Sequence, residues 1–330
     1  MSLLDTRTAA PPVPNTRCRA GAVGLAVVSG SAVAVQSRIN GELGVRLHDG
    51  IAAAVVSFGL GLVVLTVLVS GSRAGRRHLN VFRSALRDGT LRPWQCLGGA
   101  CGAFMVANQG LTVGRLGVAV FTVAVVAGQS ASSLVVDRAG IGPGGRQRVT
   151  PARLAGAALT VPAVFLAVGD RPDDPTSLVL ALLPLLAGLG LAWQQAVNGR
   201  VRAASGSVLT ATFVNFAVGA TALLAAFAIS LAFRGWPSGA LPTQPWLYLG
   251  GPIGIMFIAV AAALVRFTGV LLLSLATIAG QVVGAVLIDL AAPGGAARPG
   301  PFTVLGAVLT LVAVVVAGRR GRTARAAPNG

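Results

Sequence analysis

The hexapeptide Gln36-Ser-Arg-Ile-Asn40-Gly41 returns 158 residues later as Gln194-Gln-Ala-Val-Asn198-Gly199, and the architecture follows from this recurrence. The same offset carries Val56-Ser57-Phe58 and Gly61 onto Val214-Asn215-Phe216 and Gly219. Past a shorter middle loop the offset becomes 152. Trp94 then falls on Trp246, and Gly98-Gly99 and Gly102 fall on Gly250-Gly251 and Gly254. Ala127-Gly128-Gln129 followed by Asp137 falls on Ala279-Gly280-Gln281 followed by Asp289. Apolar segments resemble one another by composition alone, but shared Gln, Asn, Asp and Trp in one order do not arise that way. The chain is two copies of one unit.

The composition says what kind of unit. Of 330 residues, 54% are hydrophobic and 11% charged, and the mean hydropathy is +0.78. A soluble domain carries about 25% charged residues, and disordered chains are poor in apolar ones, so both classes are excluded. The apolar residues gather in blocks of about 17–25, enough to cross a bilayer core. Ten such blocks fall near 20–37, 51–70, 95–113, 117–136, 152–168, 177–197, 207–233, 246–265, 268–289 and 302–318. The expected architecture is an all-α polytopic membrane protein of ten transmembrane helices, built as two five-helix repeats. Residues 1–19 read as a disordered cytoplasmic tail, 20–168 as the first repeat, 169–176 as an external linker, 177–318 as the second repeat and 319–330 as a basic cytoplasmic tail. Ala32-Val33-Ala34 resembles a signal-peptidase site, but the segment around it has a counterpart in the second copy, which argues against cleavage.

Five helices per copy is an odd number, so the copies are expected to lie in the membrane with opposite orientation. With both termini cytoplasmic, 20 of the 26 basic residues, all arginine, fall in inside segments, as the positive-inside rule requires. The net charge of +17 lies in short links between apolar blocks rather than along a stripe. That pattern suits anionic headgroups on the cytoplasmic side and not nucleic acid. Cys18, Cys96 and Cys101 offer neither a disulfide framework nor metal-ligand spacing, and no cofactor is expected.

Inverted helical repeats hold substrate near the midplane, where the copies meet. Gln129 and Asp137 are eight residues apart, about 12 Å along a helix, so an interfacial Asp137 puts Gln129 near mid-membrane. Gln281 and Asp289 repeat this from the other side. Gln129, Ser132, Ser133 and Asp137 share a helix face. Gln129, Ser132, Ser133 and Gln281 are either substrate contacts or interhelical hydrogen-bond partners. Gln36 and Asn40, Gln194 and Asn198, and also Asn215, read as helix-end polar or gating residues. Asp137, Asp289 and Glu42 are either proton-coupling groups or interfacial structural ones. Trp193 is either an aromatic face for a cationic substrate or an interfacial anchor.

The stretches Gln36-Ser-Arg-Ile-Asn40-Gly41-Glu-Leu-Gly44, Leu116-Gly-Val-Ala-Val-Phe121, Ala127-Gly-Gln129 and Leu134-Val-Val-Asp137-Arg-Ala-Gly140 resemble the YdcZ-type inner-membrane exporters of the drug/metabolite transporter (DMT) superfamily. The resemblance spans about 20–318, as a fused pair of five-helix units. It implies export of a small molecule across a bacterial cytoplasmic membrane. The second copy departs from the pattern: Phe267-Thr268 stands where Arg115-Leu116 stood, and Asp289 lacks the following Arg-Ala-Gly. Two other classes bear on function. A lipid-handling or structural membrane protein would use the same bundle without a solute cycle. An enzyme is disfavoured, because His48 and His78 are isolated and no metal, nucleophile-elbow or phosphate-loop motif appears. A homo-oligomer remains open at this level.

Overall fold

A computed structural model of the chain describes residues 16–170, 175–291 and 298–319. These residues form α1 (Thr16–Leu47), α2 (Gly50–Gly71), α3 (Arg73–Arg87), α4 (Gly98–Ala139), α5 (Pro151–Val168), α6 (Pro175–Ser205), α7 (Val208–Arg234), α8 (Gly250–Ala291) and α9 (Pro301–Gly318). Single 3-10 turns at Pro93–Cys96 and Pro245–Tyr248 lead into α4 and α8. No strand occurs among the described residues. Eight helical segments among them are long and apolar enough to cross a membrane, the longest being Pro93–Ala139. The chain is a polytopic helical membrane protein.

The turns are set by local chemistry. His48 sits in the left-handed region (φ 51), and the Asp49 carboxylate then accepts the Ile51 and Ala52 N–H groups at 2.8 and 2.9 Å, starting α2. The repeat-equivalent pair, Gly206 (φ 67) and Ser207, turns α6 into α7 in the same way. Ser72 caps α3, and Thr150 caps α5 ahead of Pro151.

Several boundaries differ from the sequence-based expectation. The helix α1 starts at Thr16, inside the expected tail; the rest of both tails and half of the linker, 171–174, lie outside the described residues. It also runs on to Leu47, past the end of the first apolar block near residue 37. The link after α2 holds a further helix, α3, whose Leu79, Phe82, Ala85 and Leu86 pack on Val201, Ala211 and Val214 of the second copy. The expected breaks near residues 115 and 266 fall inside α4 and α8 rather than in loops.

The long helices α4 and α8 nevertheless fold back. Gly117 has φ 82 and ψ 165, and the chain reverses there. Gly98, Cys101 and Gly102 lie against Val197, Gly190 and Gln194 of α6, running down it. After the break, Val125 and Gly128 meet Gly188, Leu185 and Leu189, running up it. Both halves of α4 therefore lie along one helix. In the same way α8 meets α1 twice: Gly250 and Gly254 against Asn40 and Gln36, then Thr277, Gly280 and Gly284 against Gly30, Val27 and Ser31.

The offsets found in the sequence reappear as reciprocal contacts. The backbone at Thr277 and Gln281 fills the space over Gly30, and the backbone at Val125 and Gln129 fills it over Gly188. Val27 covers Gly280 as Leu185 covers Gly128, and Ser57 covers Gly251 as Asn215 covers Gly99. Phe58 and Phe216, one repeat position, stack on each other with centroids 4.8 Å apart. Gly61 abuts Phe216 and Gly219 abuts Phe58, so α2 and α7 run antiparallel. On α5 and α9, Gly156 likewise packs on Ala313 and Ala317, and Gly306 on Ala163 and Ala167. Equivalent helices that pack antiparallel put the twofold axis across the bundle, not along it. The two copies thus point in opposite directions.

Candidate substrate site

Two clusters of uncharged polar side chains flank the Phe58–Phe216 stack, one for each copy. In the first, Asn40 is wholly buried and donates from Nδ2 to Gln109 Oε1 at 2.7 Å. Gln109 Nε2 donates to Ser37 Oγ at 2.9 Å, and the Ser37 hydroxyl donates to the Val33 carbonyl at 3.0 Å. Ser57, next to Phe58, completes this group beside Gly250. In the second cluster, Asn215 Oδ1 accepts from both Gln194 Nε2 and Asn198 Nδ2, at 3.0 and 2.9 Å. The missing Cβ atoms at Gly98, Gly102, Gly250 and Gly254 let the amides of Asn198, Gln194, Asn40 and Gln36 reach the starts of α4 and α8.

These amides lie well inside α1 and α6, not near the helix ends that the sequence suggested. Among the described residues, three buried oxygens in the clusters have no hydrogen-bond partner: Asn40 Oδ1, Ser57 Oγ and Gln194 Oε1. Orphaned buried acceptors are costly, about 1–3 kcal/mol each, and native proteins retain few of them. None of the clustered side chains is ionisable, so the site can exchange hydrogen bonds with a ligand but offers it no charge.

The other expected residues divide. Gln129 and Gln281 are half-buried where their helices cross Gly188 and Gly30, and no hydrogen bond joins them among the described residues. Ser133 donates back to the Ser130 carbonyl at 2.8 Å, and Ser132 is half-buried on the same turn. Trp193 stacks on Trp94, centroids 6.5 Å apart, so one face of its ring is covered. Glu42 pairs with Arg46 one turn on, at 2.9 Å, and Arg46 also reaches Gln244 Oε1 at 2.6 Å. Asp137 pairs with Arg153 at the end of α4.

Asp289 is different. It is buried, and its two carboxylate oxygens accept the N–H groups of Val118 (3.1 Å) and Ala119 (2.7 Å), just after the break at Gly117. The carboxylate of one copy thereby caps the half-helix of the other. Sequence reading missed Ser37, Ser57 and Gln109. Asn108-Gln109 is a polar pair in an apolar block, which is a legible signal. It has no polar repeat partner, however, since residues 260 and 261 are Val and Ala.

The model of the family described as "Putative inner membrane exporter, YdcZ" matches the chain twice, over residues 21–166 and 179–316. The chain belongs to this family. Membership makes this YdcZ-family chain an inner-membrane protein of a transporter family, with the paired unit read from its internal offsets. No curated protein matches it. A protein of known crystal structure superposes on it at a TM-score of 0.52 with 18% identity, over 92% of this chain and 97% of the other. At that identity the likeness concerns the fold alone.

Proposed function

We propose that this YdcZ-family chain is a secondary transporter that exports small polar molecules, with ten crossings and both termini cytoplasmic. The two copies rock about the Phe58–Phe216 stack and expose the amide clusters to each side in turn. The observation that carries this reading is the pair of uncharged clusters, the first buried and the second partly buried, on either side of the twofold axis, with three oxygen acceptors left for a ligand. Such a site suits uncharged solutes rich in N–H or O–H donors. Gln129 and Gln281 form a second contact pair further along the same interface.

The loop contacts support the orientation. His78 Nδ1 donates to the Ser205 carbonyl at 2.9 Å, and Arg200 donates to the carbonyls of Gly140 (2.9 Å) and Ile141. All of these belong to segments assigned to the cytoplasm by arginine count. Arg46–Gln244 and Asp170–Thr303 join segments assigned outside.

The test is efflux from proteoliposomes loaded with a panel of amides, polyols, nucleosides and amino acids. The wild type should release one class at least tenfold faster than the Asn40→Ala/Gln194→Ala variant. If Gln129→Ala/Gln281→Ala alone abolishes release, the solute sits at the second pair. If the wild type releases no solute but moves labelled phospholipid between leaflets, the chain handles lipid and the proposal falls.

A further inference from the structure

A cleft of about 1030 Å³ opens at the cytoplasmic end of α4, away from the amide clusters. Gly140 closes α4 in the left-handed region (φ 70), and the following loop turns back over the helix end. A Cβ on Gly140 would lie 2.8 Å from Arg146 Cγ, so this turn is what brings Arg146 over α4. Arg138, Arg146 and Arg148 line the cleft and are all exposed. None of the three has an acidic partner among the described residues, because the nearby carboxylate, Asp137, is held by Arg153. Below them the wall is apolar: Leu134, Val135 (69% exposed) and Leu154 (58% exposed).

We propose that this cleft binds one anionic phospholipid. Its phosphodiester is held by Arg138, Arg146 and Arg148, and one acyl chain lies along Leu134, Val135 and Leu154. Three unpaired guanidinium groups above an exposed apolar wall match a negative headgroup joined to a hydrocarbon chain. Guanidinium groups are suited to bidentate phosphate recognition, and basic pockets between helices at the cytoplasmic boundary suit anionic headgroups. A soluble anion would leave the apolar wall uncovered, and a zwitterionic lipid would bring its own cation against the arginines. The inference does not depend on which solute is carried.

Native mass spectrometry of the full chain in detergent, titrated with phosphatidylglycerol or phosphatidylcholine, tests it. The first phosphatidylglycerol should bind at least tenfold more tightly than phosphatidylcholine. Arg138→Gln/Arg146→Gln/Arg148→Gln should remove that preference, whereas Arg73→Gln/Arg76→Gln/Arg77→Gln on α3 should keep it. Val135→Trp leaves the three arginines in place and fills the apolar wall; it should weaken the first phosphatidylglycerol about tenfold, and it stands in if the triple variant does not fold. Equal binding of both lipids, or a preference that survives both cleft variants, overturns the proposal. So does displacement of phosphatidylglycerol by equimolar glycerol 3-phosphate, which would make the cleft a site for a free anion.

Discussion

Asp289 in the second copy holds the backbone of Ala119 in the first, with Oδ2 accepting its N–H at 2.7 Å. The first turn of a half-helix inside a membrane has N–H groups with no partner in its own helix, and lipid cannot supply one. The carboxylate fills that need across the interface between the copies. A cap of this kind is worth about 0.5–2 kcal/mol, so Asp289→Ala should lower the unfolding free energy in detergent by that amount or more. Asp289→Asn, which keeps an acceptor, should lose less. Asp137→Ala should cost under about 1 kcal/mol, since the Asp137–Arg153 pair is partly exposed. Equal losses for Asp137→Ala and Asp289→Ala in chemical denaturation would contradict this difference.

The chain of hydrogen bonds from Asn40 through Gln109 to Ser37 predicts coupling. Removing the Gln109 amide strands the Asn40 Nδ2 group in a buried place, at about 1–3 kcal/mol. Asn40→Ala and Gln109→Ala should therefore be non-additive, with an interaction energy above about 0.5 kcal/mol in a double-mutant cycle. Additive single losses in thermal unfolding would show that the two amides act separately.

Reciprocal packing predicts matched sensitivity. Gly128 and Gly280 occupy one repeat position, and each lies under a backbone carbonyl, that of Leu185 or Val27. Overpacking a tight contact costs about 1–3 kcal/mol, so Gly128→Val and Gly280→Val should both lower the melting temperature, and by similar amounts. Gly59, at which a Cβ would meet nothing within 4 Å, is the control: Gly59→Ala should leave the melting temperature unchanged or raise it. A loss confined to one of the two valine variants would be inconsistent with the reciprocal contacts.

Asp170 gives an acid dependence outside the membrane. Burial opposes its ionisation, but hydrogen bonds from Thr303, Phe302 and Gly300 outweigh that and hold the carboxyl below its ordinary value. A carboxyl lowered in the folded state stabilises the fold fully above the ordinary Asp value, about 3.9. That contribution is lost as pH falls through the folded value beneath it. Asp170→Asn should therefore be less stable than wild type at pH 6, and the gap should close on acidification below pH 4. A gap independent of pH in melting scans would refute this assignment.

How much of this was legible beforehand follows from what each feature depends on. The two offsets needed only polar residues in register, so the paired copies could be read directly. The amides at Gln36 and Gln194 were visible for the same reason, but their depth was not. The apolar blocks ending near 37 and 197 suggested helix ends, yet inside lipid a helix is the cheapest way to satisfy the backbone, and it runs on past both. Gln109 stayed hidden because its role belongs to one copy only, and a search for repeats discards what does not repeat. The cross-copy role of Asp289 depends on the reversal at Gly117. The reversal itself was legible as the break expected near residue 115, where Arg115 separates two apolar blocks; which side chain of the other copy caps it was not.

The Phe58–Phe216 stack joins one repeat position to itself. If a single-copy chain assembled as an antiparallel pair in the same way, one codon would write both rings, and every change there would strike the contact twice. In the fused chain the two rings are written separately. One can shrink while the other grows, keeping the gap filled, and the two ends of the axis can then respond differently to the same passing molecule.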